Sequence, residues 1–140
     1  MINGIGNKNK QLQRAIGQLN VLKEVITRPN NELEKISLHT LYKIIITNIS
    51  DIIRCKSNNN YTTFCFKNKE KLLVSKTLKF YADLLKEVGF LRVHQSHLIN
   101  TKYIKEFIKS DGGYLILTDN CNVPVSVRKR NKVLEALNSF

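Results

Sequence analysis

A basic segment near the C-terminus, residues 126–132, has residue types and spacing suited to binding an anion. Ser126 is a favourable N-cap, so a helix is predicted to begin there with Arg128, Lys129 and Arg130 in its first turn. Cations at the positive end of a helix dipole are unfavourable by roughly 0.3 to 1 kcal/mol each, and Arg128 repels Lys132 at the i,i+4 spacing. A bound phosphate would relieve this repulsion, whereas the alternative is an ordinary solvated basic face. The clustering of cations at the unfavourable end of the helix favours the anion site.

A second segment, residues 90–100, places hydrogen-bonding side chains between apolar residues, which suggests a polar loop on an apolar anchor. Its polar side chains are Arg92, His94, Gln95, Ser96 and His97. A glutamine can pair with adenine N6 and N7, while arginine and serine side chains can bind phosphates. Either histidine could make such contacts, although His94 could instead be a partly buried residue that orients the loop.

Neither segment has the spacing of a metal site or a catalytic triad, and the chain has no nucleophile elbow or glycine-rich phosphate loop. The three cysteines, Cys55, Cys65 and Cys121, are odd in number and widely spaced, which argues against a disulfide framework and a zinc site. They are predicted to be reduced thiols at buried strand positions. The sequence therefore indicates no cofactor, no metal and no enzymatic activity; a hydrolase using His94 or His97 is the remote alternative.

The composition points to a polyanionic partner. The chain has 140 residues, enough for one domain plus an appendage, with 23 Lys and Arg against 11 Asp and Glu and a formal net charge of +12. No run of about 18 to 20 apolar residues could span a bilayer, and no secretion signal is recognisable, so a cytoplasmic protein is predicted, with no membrane partner.

The elements that would position these residues are predicted from periodicity and turn residues. Apolar residues at helical spacing predict an amphipathic helix over residues 9–27, which Pro29 ends and which would serve as an inter-domain or dimerising segment. Strands are predicted over residues 35–39, 43–47, 52–56, 61–66 and 71–75, a helix over 77–88, a hairpin over 102–110 and 114–118, an edge strand over 121–125 and a helix over 127–137.

Four motifs, in order, resemble the LytTR family of DNA-binding domains. Residues 90–100, FLRVHQSHLIN, resemble the family signature F-x-R-x-H-x-S-[YF]-x-V-N, and residues 125–130, VSVRKR, resemble the closing run V-S-x-R-[KR]-[KR]. Residues 51–53 with Asn60 and Tyr61 resemble the D-I-[LI] and N-Y opening, and residues 77–79 resemble the T-L-K helix start. The resemblance covers residues 36–137. Lys56, His97 and Val127 depart from the pattern, since an acid, an aromatic and a basic residue are usual at these positions.

The resemblance implies a mainly β fold, an elongated arrangement of mostly antiparallel sheets with short helices. It divides the chain into residues 1–35, a linker helix and connecting segment, and residues 36–140, the DNA-binding domain. It also implies the effector part of a bacterial two-component response regulator, which binds duplex promoter repeats as a dimer and follows a receiver domain in the full-length protein. In such regulators, loops enter successive major grooves.

The resemblance also assigns residues to the DNA contact. Base-reading positions are Gln95, Arg128, Asn60 and Tyr61. Phosphate-binding positions are Arg92, His94, Ser96, Ser126, Lys129, Arg130 and Lys132. The main alternative is a small basic RNA-binding domain; against it, the alternation of Tyr61, Phe64 and Phe66 splits these rings between two faces of a strand, so that they form no clear stacking platform.

Overall fold

The computed structural model describes residues 25–27 and 33–140. These residues belong to two compact units, one ending at Asp51 and the other spanning Ile52–Phe140. Among the described residues, no helix combines the length and the hydrophobicity needed to cross a bilayer.

The first unit is a three-stranded antiparallel sheet. Its strands are β1 (Val25–Thr27), β2 (Leu33–His39) and β3 (Ile44–Asn48), in that order across the sheet, followed by a 3₁₀ turn at Ile49–Asp51. The turn between β2 and β3 is closed by Thr40, whose hydroxyl accepts hydrogen bonds from the Tyr42 and Lys43 N–H groups. Ile36 and Leu38 of β2 are fully buried.

The predicted N-terminal helix was wrong at its C-terminal end. Val25–Thr27 is a strand paired with β2, so the helix cannot extend to residue 27. All three residues are β-branched and prefer extended backbone, and pairing with β2 provides hydrogen-bond partners for the backbone groups that face it. The rest of the predicted helix, residues 9–24, lies outside the described residues. Of the predicted linker segment, residues 33–35 begin β2.

The second unit is built around a five-stranded antiparallel sheet with a helix against one face. Its elements are β4 (Ile52–Asn58), β5 (Tyr61–Phe66), β6 (Lys71–Val74), α1 (Leu78–Leu85) with a 3₁₀ turn at Lys86–Val88, β7 (Phe90–His94) and β8 (His97–Asn100), and the strand order is β6-β5-β4-β8-β7. Phe64 of β5 meets Tyr81 of α1 edge to face, with ring centroids 4.8 Å apart. Thr77 caps the helix by accepting from the Phe80 N–H, and Gly89, at φ 95°, ends the turn that follows.

A smaller sheet completes the second unit. It consists of β9 (Ile104–Ile108), β10 (Tyr114–Leu117) and β11 (Asn122–Pro124), with β10 central, and a 3₁₀ turn at Val127–Lys129 leads into α2 (Arg130–Asn138). The shared core contains Ile53, Val93 and Ile99 from the larger sheet, Leu115, Leu117 and Val123 from the smaller one, and Val125 and Val133 beside and within α2. The predicted fold class, mainly β with antiparallel sheets and short helices, is confirmed.

Two predictions in this unit need correction. Residues 90–100 are not a loop but a β-hairpin, because the apolar residues on both sides of the polar turn pair as β7 and β8 and are buried on the two faces of the sheet. Cys55 and Cys65 are free thiols buried in strands, as predicted, and burial raises the pKa of both. Cys121, in contrast, is only half-buried and precedes β11, where its Sγ lies 4.0 Å from Nη2 of Arg54.

Candidate nucleic-acid interface

The turn between β7 and β8 is held by side chains of its own hairpin. Arg92 donates from Nε to the His94 carbonyl at 3.0 Å and from Nη2 to the Gln95 carbonyl at 2.6 Å. The Ser96 N–H donates to Nδ1 of His94 at 3.0 Å. The Gln95 side chain is exposed at the tip of this hydrogen-bonded turn. Arg92 and His94 therefore position this turn. The family resemblance had assigned both residues only to phosphate binding.

The basic segment after β11 lies against this hairpin. The Ser126 N–H donates to the Val93 carbonyl at 2.9 Å, and the Ser126 carbonyl accepts from the Lys129 N–H at 3.0 Å. Buried Val125 and Val133 fix the chain on either side of the segment. The fold thus brings the two motifs together, with Arg128 exposed in the 3₁₀ turn.

The predicted helix start was wrong in detail. Ser126 precedes a 3₁₀ turn, and no capping hydrogen bond from its side chain is present among the described residues. The α-helix itself begins at Arg130, so Arg128 and Lys129 precede its first turn. The reason is the bond from Lys129 N–H to the Ser126 carbonyl, which closes an i to i+3 turn before the helix starts.

Arg130 is directed toward a different loop. Its guanidinium donates to the carbonyls of Gly112 (2.9 Å) and Lys109 (3.1 Å), and it lies 5.7 Å from the centre of the Phe107 ring. Gly113 has a φ of 95°, which strains any residue with a side chain, and a Cβ there would lie close to Phe107 (3.0 Å) and Arg130 (3.2 Å). Arg130 therefore ties α2 to the β9–β10 turn. Sequence reasoning missed this role because the carbonyls are 18 and 21 residues away.

The third predicted contact region is the turn between β4 and β5. Asn59 has a left-handed backbone, φ 56°, while Asn60 and Tyr61 are exposed. The Ser57 N–H donates to the Ser96 carbonyl at 3.0 Å, so the β4–β5 turn extends from the same end of the sheet as Gln95. Lys132 is exposed on α2.

His97 has a cationic environment that the sequence did not reveal. Burial, followed by the charges of His94, Arg54 and Lys56, lowers the pKa of His97 to about 4. The rings of His94 and His97 are 5.3 Å apart, and Nδ1 of His97 is buried without a hydrogen-bond partner among the described residues. Because the charged neighbours acting on this ring are all basic, a nearby phosphate would be electrostatically favourable.

This environment predicts a pH-dependent stability. A histidine whose pKa is lower in the folded state stabilises the fold fully above its unfolded value of about 6.5, and this contribution is lost as the pH falls from there toward 4. Screening of the half-buried ring reduces the expected loss to roughly 1 to 2 kcal/mol. Urea unfolding at pH 7.5 and 4.5 should show that His97→Phe loses less stability on acidification than the parent chain. Equal losses of stability in the two chains would contradict the prediction.

The chain is similar to known proteins. A family model described as the LytTr DNA-binding domain matches residues 42–138. Two curated relatives, the heme-containing CO-sensing transcriptional regulators RcoM 2 and RcoM 1 of Paraburkholderia xenovorans (strain LB400), are 32% and 30% identical over 108 residues. The match covers 75% of this chain but only 40% of each relative, so the chain spans well under half of their length.

A solved structure has the same fold. It is the LytTr DNA-binding domain of a putative methyl-accepting/DNA response regulator from Bacillus cereus, with a TM-score of 0.65 and 20% sequence identity. The similarity covers 74% of this chain and 96% of that structure. The family match includes the β7–β8 hairpin, the β4–β5 turn and the basic 3₁₀ turn, and the family is one of DNA-binding domains, not of enzymes. The chain therefore belongs to the LytTr DNA-binding domain family, the DNA-binding parts of transcription regulators.

Proposed function

We propose that the chain recognises specific promoter repeats in duplex DNA by inserting the β7–β8 turn and the 3₁₀ turn at Val127–Lys129 into the major groove. The observation that carries the proposal is the hydrogen bond from Ser126 N–H to the Val93 carbonyl, which holds the two turns side by side. Gln95 and Arg128 are both exposed on them. A major groove about 12 Å wide admits a two-stranded β-ribbon.

The chemistry of the exposed side chains supports base reading. The Gln95 amide suits adenine N6 and N7, and the Arg128 guanidinium suits guanine O6 and N7. Asn60 and Tyr61, on the β4–β5 turn at the same end of the sheet, are the proposed contacts in a further groove. On this proposal, specificity comes from three turns, two of them in the five-stranded sheet and the third bonded to that sheet through Ser126.

Phosphate contacts are proposed for the polar groups around these turns. They are His94, Ser96, Ser126, Lys129 and Lys132. Arg92 and Arg130 each direct two N–H donors to backbone carbonyls, so their main role is positioning, and only the remaining donors of each guanidinium are free for phosphate.

Assembly and regulation form the last part of the proposal. Paired repeats call for a dimer on DNA, because each repeat is contacted by one copy of the domain. A receiver domain is the proposed partner in the full-length protein, which makes the regulator a two-component one. The curated relatives are named as heme-containing CO-sensing regulators. The proposed DNA contact does not depend on which input domain the full-length protein carries.

A binding selection from random duplex DNA tests the proposal. A preferred sequence with two spaced repeats is expected, and its affinity should fall with salt along a log-log slope of about −0.9 per phosphate neutralised. A slope near zero, or tighter binding to a structured RNA than to the selected duplex, would contradict it.

A further inference from the structure

Val127 has an exposure that the folded domain does not explain. Its side chain is 86% exposed, more than that of any other large apolar residue that the structure describes in Ile52–Phe140. The chain is anchored on both sides of the turn, since Val125 is 6% exposed and Val133 is fully buried. An apolar side chain that is exposed to water contributes little to the core, so it can be buried by an external partner.

The position of Val127 limits what that contact can be. It lies between Ser126, whose backbone is bonded to β7, and Arg128, and the next residues include Lys129, Arg130 and Lys132. A surface with this charge faces a polyanion, and the apolar group that duplex DNA presents in the major groove is the C5-methyl of thymine. The two methyl groups of valine branch from Cβ and are conformationally stiff, so they suit a short, fixed contact.

We propose that Val127 reads a thymine methyl group in a base pair beside the one contacted by Arg128. The inference rests on the proposed function, because it requires the 3₁₀ turn to lie in the major groove. Successive side chains of a 3₁₀ turn are separated by about 120°, so Val127 and Arg128 address different base pairs.

The test removes the thymine methyl group and the Val127 methyl groups separately. Each thymine of the selected duplex is replaced in turn by deoxyuridine, which lacks only the C5-methyl, and binding is measured for the full chain and for Val127→Ala. One replacement should weaken binding of the parent chain about fourfold, the value expected for one buried methyl group. Val127→Ala should bind the thymine duplex more weakly by a similar factor or more and should not respond to that replacement.

Leu73→Ala is a matched control, since Leu73 is also an exposed apolar residue, on β6. It should keep the parental response to deoxyuridine. The inference is overturned if no replacement weakens the parent chain, if Val127→Ala keeps the response, or if the selected duplex has no thymine near the guanine that depends on Arg128. Failure to select any preferred duplex would instead overturn the proposed function, so the two failures are distinguishable.

Discussion

Replacing Arg128 with alanine is expected to lower affinity for the preferred duplex by about 1 to 3 kcal/mol and to flatten discrimination at one base pair. The Arg128 side chain is exposed, and its turn is held by the hydrogen bond from the Ser126 N–H to the Val93 carbonyl. The guanidinium would therefore reach a base edge from a backbone whose position is fixed. Removing it eliminates a bidentate contact without disturbing the core. Binding to the preferred duplex and to single-base variants measures both effects.

Lys132→Ala is the control for Arg128→Ala. Lys132 is also exposed and lies four residues further on, in α2, where it is proposed to contact phosphate. Its loss should weaken preferred and random duplexes alike and reduce the salt slope by about one. If Arg128→Ala behaved in the same way and kept every base preference, Arg128 would belong with the phosphate contacts.

Arg92→Lys is expected to reproduce the specificity defect of Gln95→Ala, a loss of about 1 to 3 kcal/mol on the preferred duplex and of discrimination at the same base pair. Arg92 holds the turn through bonds to the His94 and Gln95 carbonyls. A lysine keeps the charge but lacks the planar fork that reaches both carbonyls. The turn would then present Gln95 in several orientations.

The salt slope separates positioning from phosphate binding. Arg92→Lys conserves the charge, so the slope of its log affinity against log salt concentration should equal that of the parent chain. Arg92→Ala should match that slope only if Arg92 contacts no phosphate. Each hydrogen bond from the Arg92 guanidinium contributes at most about 1.5 to 3 kcal/mol to stability, so its loss could unfold part of the population. Urea unfolding therefore checks that Arg92→Lys and Arg92→Ala are folded. Full base discrimination by Arg92→Lys would show that the turn does not depend on these bonds.

Much of the secondary structure was predictable because its signals are local. The strand over residues 61–66 was predicted with its observed bounds. The helix predicted over residues 77–88 is an α-helix to Leu85 and a 3₁₀ turn to Val88, and Gly89 follows with the positive φ that glycine tolerates. The edge position of the strand containing Pro124 is also confirmed, since proline cannot donate to a central ladder. The hairpin over residues 90–100 was missed because its polar turn outweighed the short apolar runs beside it.

The sequence by itself determined the family, the antiparallel β class and the two segments, residues 90–100 and 126–132, that meet at the candidate interface. These depend on residue types within a few positions of one another. Only the tertiary structure decided that Val25–Thr27 is a strand, that Arg92 and Arg130 hold turns, and that His97 is partly buried near Arg54 and Lys56. A strand needs a partner strand, and a guanidinium donates to whichever carbonyl the fold brings near. A pKa depends on burial and on neighbouring charges. Each of these properties therefore arises from residues that are distant in the chain and adjacent in space.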